Sequence, residues 1–218
     1  PSAEGLRPIG RDHIEVALRS LLDPEFVSVR TRPPKVYRGG VPFVVEIAVS
    51  YGGKSGSRGG GAIFRYANRS PLLFDAGACA ITKAVKSVEW KRYEIKDFDN
   101  ERITVFVNFV SAFVPYSGAG KQSIAQEPEI IDELRFAIMD VARDLQRYIA
   151  GKLREERKRA KKKAIMRYVH QLSVDLPILA NTANAEEIEK KLTEIVLTRF
   201  KEEEKEEEEK IKKREIVI

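Results

Sequence analysis

The chain has 218 residues, with 39 Lys or Arg against 33 Asp or Glu, a formal net charge of +6 and 43% apolar side chains. That supports one sizeable domain with a real core plus an extension, and the positive balance permits contact with a polyanion. A single cysteine, Cys79, and the lack of any Cys/His cluster exclude an intrachain disulfide and a zinc-type site. No apolar run approaches the ~20 residues of a membrane helix.

A reducing cytoplasm is the expected compartment, and Cys79, set among small apolar residues, reads as a buried inert thiol. The chain begins at Pro1 rather than Met, which predicts a piece of a longer protein.

In chain order, Ile14, Ala17, Leu18, Leu21 and Leu22 recur at helical spacing, so residues 10–22 predict an amphipathic helix that Asp23-Pro24 ends. The Pro-rich basic stretch from Arg30 to Arg38 reads as a connector. Phe43, Val45, Ile47 and Val49 alternate with Val44, Glu46, Ala48 and Ser50, which predicts a strand. Gly52 to Gly61 then predicts a flexible hairpin loop leading to a second strand, Ala62 to Asn68. Ala76 to Val88 suits a helix crossing the sheet. Trp90 to Ile95 reads as a third, partly polar strand. Ile103 to Val114 is apolar on both sides, which predicts a central strand.

The pattern changes after Pro115. A short loop, Tyr116 to Ala125, leads to Pro128, a residue suited to a helix start. Ile131, Leu134, Ile138, Val141, Leu145, Tyr148 and Ile149 mark one face of a long helix that continues through the basic stretch Lys152 to Lys163. Leu176-Pro177 is expected to break it. Glu186 to Phe200 predicts another helix, and Lys201 to Arg214 reads as solvated helix or disorder.

Four features carry candidate chemistry. Gly118-Ala119-Gly120-Lys121-Gln122-Ser123 lies between a strand and a helix start, where backbone N–H groups and one lysine can meet a phosphate. It departs from a Walker A loop, having Pro115 and Gln122 where that pattern needs Gly and Ser or Thr; the alternative is an ordinary connection with an exposed lysine. In the Gly52–Gly61 loop, Lys54 and Arg58 could brush a nucleic-acid backbone. Trp90-Lys91-Arg92-Tyr93 interleaves cations with aromatics, as a nucleic-acid surface does, or as an edge strand with one aromatic in the core does. Lys152 to Lys163 reads either as phosphate contact by counterion release or as a solvated helix. His13 and His170 have no catalytic partners in view, and Asp97, Asp99 and Glu101 read as a solvated turn.

Taken together, these residues resemble a known family. Lys35-Val36-Tyr37, Pro42-Phe43-Val44-Val45-Glu46, Phe64-Arg65-Tyr66-Ala67-Asn68-Arg69 and Pro71-Leu72-Leu73-Phe74-Asp75 are similar, in order and spacing, to the transducer domain of topoisomerase VI B subunits. Trp90-Lys91-Arg92-Tyr93 resembles that family's W-K-x-Y motif. Pro115-Tyr116 with Gly120-Lys121-Gln122-Ser123-Ile124-Ala125 resembles its switch-lysine loop.

The resemblance covers about residues 5–180. It implies an α+β fold, a four-stranded sheet backed by helices, followed by a long helix; the small charged helical end is read from the sequence pattern. The expected divisions are a lead-in at 1–30, the core at 31–126, the long helix at 127–175 and a C-terminal segment at 176–218. By the same resemblance, Lys121 reports the γ-phosphate with Gln122 beside it. Trp90, Lys91 and Tyr93 contact duplex DNA, helped by Lys158, Lys161 and Lys162. No catalytic residue and no metal ligand are expected in this chain. ATP and Mg belong to an upstream GHKL ATPase domain and are not expected to bind here alone. The implied partners are a DNA-cleaving A subunit and a second B subunit, in an A2B2 assembly.

The physics agrees with that picture. A lysine whose phosphate partner disappears on hydrolysis is a two-state switch, and a stiff helix of about 45 residues spans close to ~70 Å. Two other readings remain open: the transducer of another GHKL ATPase, and a stand-alone basic DNA-binding module or adaptor.

Overall fold

A computed structural model describes residues 3–56, 60–180 and 185–215. The chain divides into two compact units, Pro1–Lys152 and Leu153–Ile218.

The first unit is built on one sheet. Its strands are β1 (Phe26–Thr31), β2 (Lys35–Tyr37), β3 (Val41–Tyr51), β4 (Ala62–Ala67), β5 (Ser70–Pro71) and β6 (Ile103–Ser111). The order is β1-β3-β6-β4-β5, with β2 also on β3. All neighbours are antiparallel except β4 and β6, which run parallel. Parallel neighbours need a crossover, and α2 (Ala80–Ser87) lies within it.

The two faces are covered differently. On one, Phe43, Val45, Ile47, Val49, Val105, Val107 and Phe109 pack against α2 and the first part of α3 (Pro128–Ala180). The face of α3 read from the sequence is the face that is buried: Leu134, Ile138, Val141 and Leu145 are fully covered. On the other, α1 (Arg11–Leu22) lays Ile14, Leu18 and Leu22 on Val27, Val29, Ala48 and Phe106. Glu46, wholly buried, accepts the Ile9 and Gly10 N–H groups at 2.8 and 2.7 Å and the Asn108 amide at 2.8 Å. A buried carboxylate is tolerable only when so satisfied, and here it fixes the start of α1.

Ion pairs fasten α3 to the sheet edge. Arg32 bonds Glu133 at 2.7 Å and Asp140 at 2.5 Å, which raises its already high pKa. Arg30 bonds Asp144 at 2.6 Å, and Arg38 bonds Glu127.

The second unit pairs the remainder of α3 antiparallel with α4 (Ala185–Glu215). Lys161 meets Glu203 at 3.0 Å, His170 meets Glu189 at 3.1 Å, and Val169 and Ser173 are buried. The stretch from Lys201 is thus helical to Glu215.

The α+β class stands, with four long strands and two short ones, but the membership differs from expectation. The basic connector from Arg30 contains the end of β1 and all of β2. These strands hug one edge of β3, and Arg32 N–H still donates to Val45 O at 2.8 Å. Strands β3 and β4 do not form a hairpin, because β6 lies between them. Trp90 to Ile95 is not a strand: Trp90–Tyr93 is a 3-10 turn. Its N–H groups bond locally, Arg92 to Glu89 O at 3.1 Å and Ile95 to Trp90 O at 3.3 Å. A strand would send Trp90 and Tyr93 to opposite faces, whereas the turn superposes residues three apart and buries both. Leu176-Pro177 does not break α3. Pro177 costs one helical N–H bond, and the helix runs on to Ala180.

Candidate phosphate-contacting loop and basic surfaces

Pro115 to Ala125 is a built loop. Tyr116 and Ile124 form an antiparallel bridge. Ser117 N–H donates to Ser123 O at 3.0 Å, and Ala125 N–H to Pro115 O at 2.6 Å. The loop is tied to α2 as well: Ala80 N–H donates to Ile124 O at 2.9 Å, and Lys83 Nζ to Gln126 Oε1 at 2.8 Å. Burial raises the Tyr116 phenol above its usual pKa of 10.0.

Lys121 is at the tip. Its N–H closes a turn on Gly118 O at 3.1 Å, its φ is +52°, and its side chain is exposed. A left-handed backbone is uncommon for a non-glycine residue and is kept where the surroundings impose it. Gln122 behaves differently. Its Oε1 accepts the Leu73 and Phe74 N–H groups at 3.1 and 3.4 Å, so its side chain is committed to the fold. The loop therefore offers one compact cation on a fixed base, suited to a phosphate oxygen.

Sequence reasoning assigned no role to Arg65, which donates to Phe74 O at 2.9 Å and Gln122 O at 3.4 Å. The available signal was a cation in an alternating slot between Ile63 and Ala67, both of which pack in the core. Nor did it give a role to Leu73 and Phe74, which it read only as part of a family motif and which stand 71% and 66% exposed beside the loop.

The aromatic-basic motif splits in two. Trp90 donates its indole N–H to Val85 O at 2.9 Å and lies 5.0 Å from the Phe98 ring. It and Tyr93 are core residues, which leaves no open ring face for a base. Lys91 is exposed, and Arg92 pairs with Glu89 at 2.5 Å.

On α3, Lys162 is exposed and Lys158 half-buried. Lys161 is turned toward α4, bonding Glu203 and lying 5.6 Å from the Phe200 ring centre. Lys152 is held by Glu25 at 2.6 Å.

The described part of the Gly52–Gly61 loop is packed rather than open. A Cβ on Gly53 would fall 1.9 Å from Asp23 O, and one on Gly60 2.0 Å from Asp99 O. Lys54 is exposed, and Arg58 lies outside the described residues. Cys79 is fully buried, and Asp97 spends its carboxylate on Asp99 N–H and the Asn100 amide. Among the described residues, no group of three or more His, Cys, Asp or Glu could hold a metal. No helix among them is long and apolar enough to cross a membrane.

The family described as topoisomerase VI B subunit, transducer, matches residues 1–163. The B subunit of type 2 DNA topoisomerase 6 from Thermococcus sibiricus is 48% identical over 200 residues, covering 92% of this chain and 35% of that protein. The Thermococcus kodakarensis protein of the same name is 50% identical, covering 82% and 31%. That from Methanothermobacter thermautotrophicus is 51% identical, covering 74% and 32%. The chain thus spans about a third of the length of these curated relatives. Among solved structures, the B-subunit of the DNA gyrase from Myxococcus xanthus overlaps 60% of this chain and 37% of its own, at a TM-score of 0.41 and 14% identity. The chain belongs to the topoisomerase VI B subunit transducer family.

Proposed function

We propose that this chain is the transducer part of an ATP-dependent type IIB topoisomerase B subunit. It relays the state of a bound nucleotide to a DNA-cleaving A subunit and touches duplex DNA on the way. The observation that carries the reading is Lys121. It is an exposed ammonium on a left-handed backbone, in a loop whose other anchors are spent on α2 and on Leu73–Phe74.

This donor set fits one phosphate group, not a whole nucleotide or its Mg, so the remaining ATP contacts belong to another part of the full-length subunit. Bound there, ATP supplies a terminal phosphate that hydrolysis removes. Lys121 donates to that phosphate while it is present and is released afterwards. A charge-assisted contact of this kind contributes roughly 1.5–3 kcal/mol. The loop runs straight into α3, and the Arg30, Arg32 and Arg38 ion pairs move that helix with the sheet. DNA contact falls to exposed cations such as Lys91 and Lys162, with Trp90 and Tyr93 bracing the turn that presents Lys91. Such contact follows phosphate rather than sequence and weakens with salt. A second B subunit completes the assembly.

The test uses the full-length B subunit with its A subunit. Lys121→Ala should melt within about 1 kcal/mol of wild type yet lose one to two decades of ATP-driven supercoil relaxation. Lys121→Arg should rescue only partly, since a planar fork does not replace a compact ammonium. Normal relaxation by Lys121→Ala would refute the role. Lost relaxation with a collapsed melting temperature would show the residue to be structural.

A further inference from the structure

We infer that Arg65 is the positioning residue of the Lys121 loop, a buried guanidinium that locks the loop to the Leu72–Phe74 segment; its consequence for coupling rests on the function proposed above. Arg65 is 6% exposed and points, like Ile63 and Ala67, into the face packed by α2 and α3. Among the described residues it pairs with no carboxylate. A buried cation without a counter-ion is costly, and Met or Leu would fill the same slot.

Carbonyl oxygens compensate instead. Phe74 O and Gln122 O accept from its two terminal nitrogens, while Arg65 O accepts the Leu72 N–H at 2.8 Å. Gln122 closes the circuit by accepting the Leu73 and Phe74 N–H groups. Two segments far apart in the chain are thus clamped from both sides. The guanidinium reaches the two carbonyls from two separate nitrogens held in one plane, whereas an ammonium must reach both from a single nitrogen on a flexible stem.

The clamp sits next to Lys121 in the chain and fixes the base from which that side chain reaches. Without it, the loop samples several arrangements, and only a fraction of molecules present Lys121 correctly. The apparent affinity for the phosphate then falls by that fraction, while saturating nucleotide restores the competent state.

Two variants test this, Arg65→Met, which fills the slot without charge, and Arg65→Lys, which keeps the charge without the fork. In the present chain, amide hydrogen exchange should quicken about tenfold or more at residues 72–74 and 117–124, with β6 unchanged. In the full-length B subunit with its A subunit, the ATP concentration for half-maximal relaxation should rise about tenfold, with a smaller change in the rate at saturating ATP. Arg65→Lys should fall between wild type and Arg65→Met in both measurements. Unchanged exchange in the two segments would overturn the clamp, as would an equal quickening throughout β6. Equal loss of half-saturation and maximal rate would overturn its role in coupling. If Lys121→Ala relaxes DNA normally while Arg65→Met still loosens both segments, the functional reading fails and the clamp stands.

Discussion

The molecule has two glycine-rich loops, each carrying a lysine, and they use glycine for opposite reasons. In the Gly52–Gly61 loop, Gly53, Gly60 and Gly61 are there because neighbours are too close. Added Cβ atoms would meet Asp23 O at 1.9 Å, Asp99 O at 2.0 Å and Phe98 O at 2.2 Å. In the Gly118–Gly120 loop a Cβ on Gly118 meets nothing, and one on Gly120 comes no nearer than 3.8 Å to the Gln122 side chain. The first loop is a joint between α1, β3 and the turn before β6. The second is an open platform, braced by its own bridge and by α2, which Arg65 and Gln122 tie to the Leu72–Phe74 segment and whose tip is left clear. Glycine as a letter does not separate packing from approach to a ligand; the surrounding atoms do.

That contrast can be broken experimentally. The largest effect is expected at Gly53, where φ is +57° and the carbonyl of Asp23 blocks a side chain. Gly53→Ala should lose about 3 kcal/mol in urea unfolding, from strain and overpacking together. A loss under about 1 kcal/mol would mean that the joint gives way easily.

A smaller effect distinguishes the loops by pH. Gly52 packs on Glu25, whose carboxylate accepts from Lys152 Nζ at 2.6 Å and the Tyr148 hydroxyl at 3.3 Å. The Lys152 bond holds the Glu25 pKa below its ordinary 4.5. A carboxylate lowered in the folded state stabilises fully above its unfolded value, and that contribution is lost as pH falls through the folded value. The melting advantage of wild type over Glu25→Gln should therefore be constant near neutrality and shrink below about pH 4.5. Because the site is exposed and screened, salt should reduce the advantage as well. An advantage that grew on acidification would contradict the assignment.

The smallest effect is expected at the open loop. Gly118→Ala should leave stability within about 0.5 kcal/mol, or raise it slightly by restricting the unfolded chain. A loss as large as that of Gly53→Ala would erase the distinction between the loops.

Much of this was legible beforehand where burial enforces a period. Ile14, Leu18 and Leu22 on α1, the alternation of β3, the two-sided apolar run of β6 and the stripe from Leu134 to Ile149 on α3 all declare themselves. What escaped reading depended on partners distant in sequence. The residues of β2 and the end of β1 look like a proline-rich linker because their strand character comes from pairing with β3, not from their own pattern. Trp90-Lys91-Arg92-Tyr93 carries strand-like residues, yet its two aromatics share one side of a turn because the core lies on that side. At the Lys121 loop, the glycines, the lysine and the following helix were readable. The clamp was not, since Arg65 and Gln122 are 57 positions apart and neither has a local pattern that points to the other.

The position of β6 has a consequence for how the protein is made. Strand β6 lies between β3 and β4 and supplies the pairing edge for both, yet among the described residues it is the last of the sheet's six strands in chain order. During synthesis β1, β2 and β3 can assemble as neighbours, but one edge of β3 and one edge of β4 stay unpaired until residue 111 has been made. Closing the sheet is then a single late insertion across long sequence separations, the slow kind of step in folding. Until it happens, the bare edges of β3 and β4 are the places where a nascent chain is most exposed to pairing with the wrong strand.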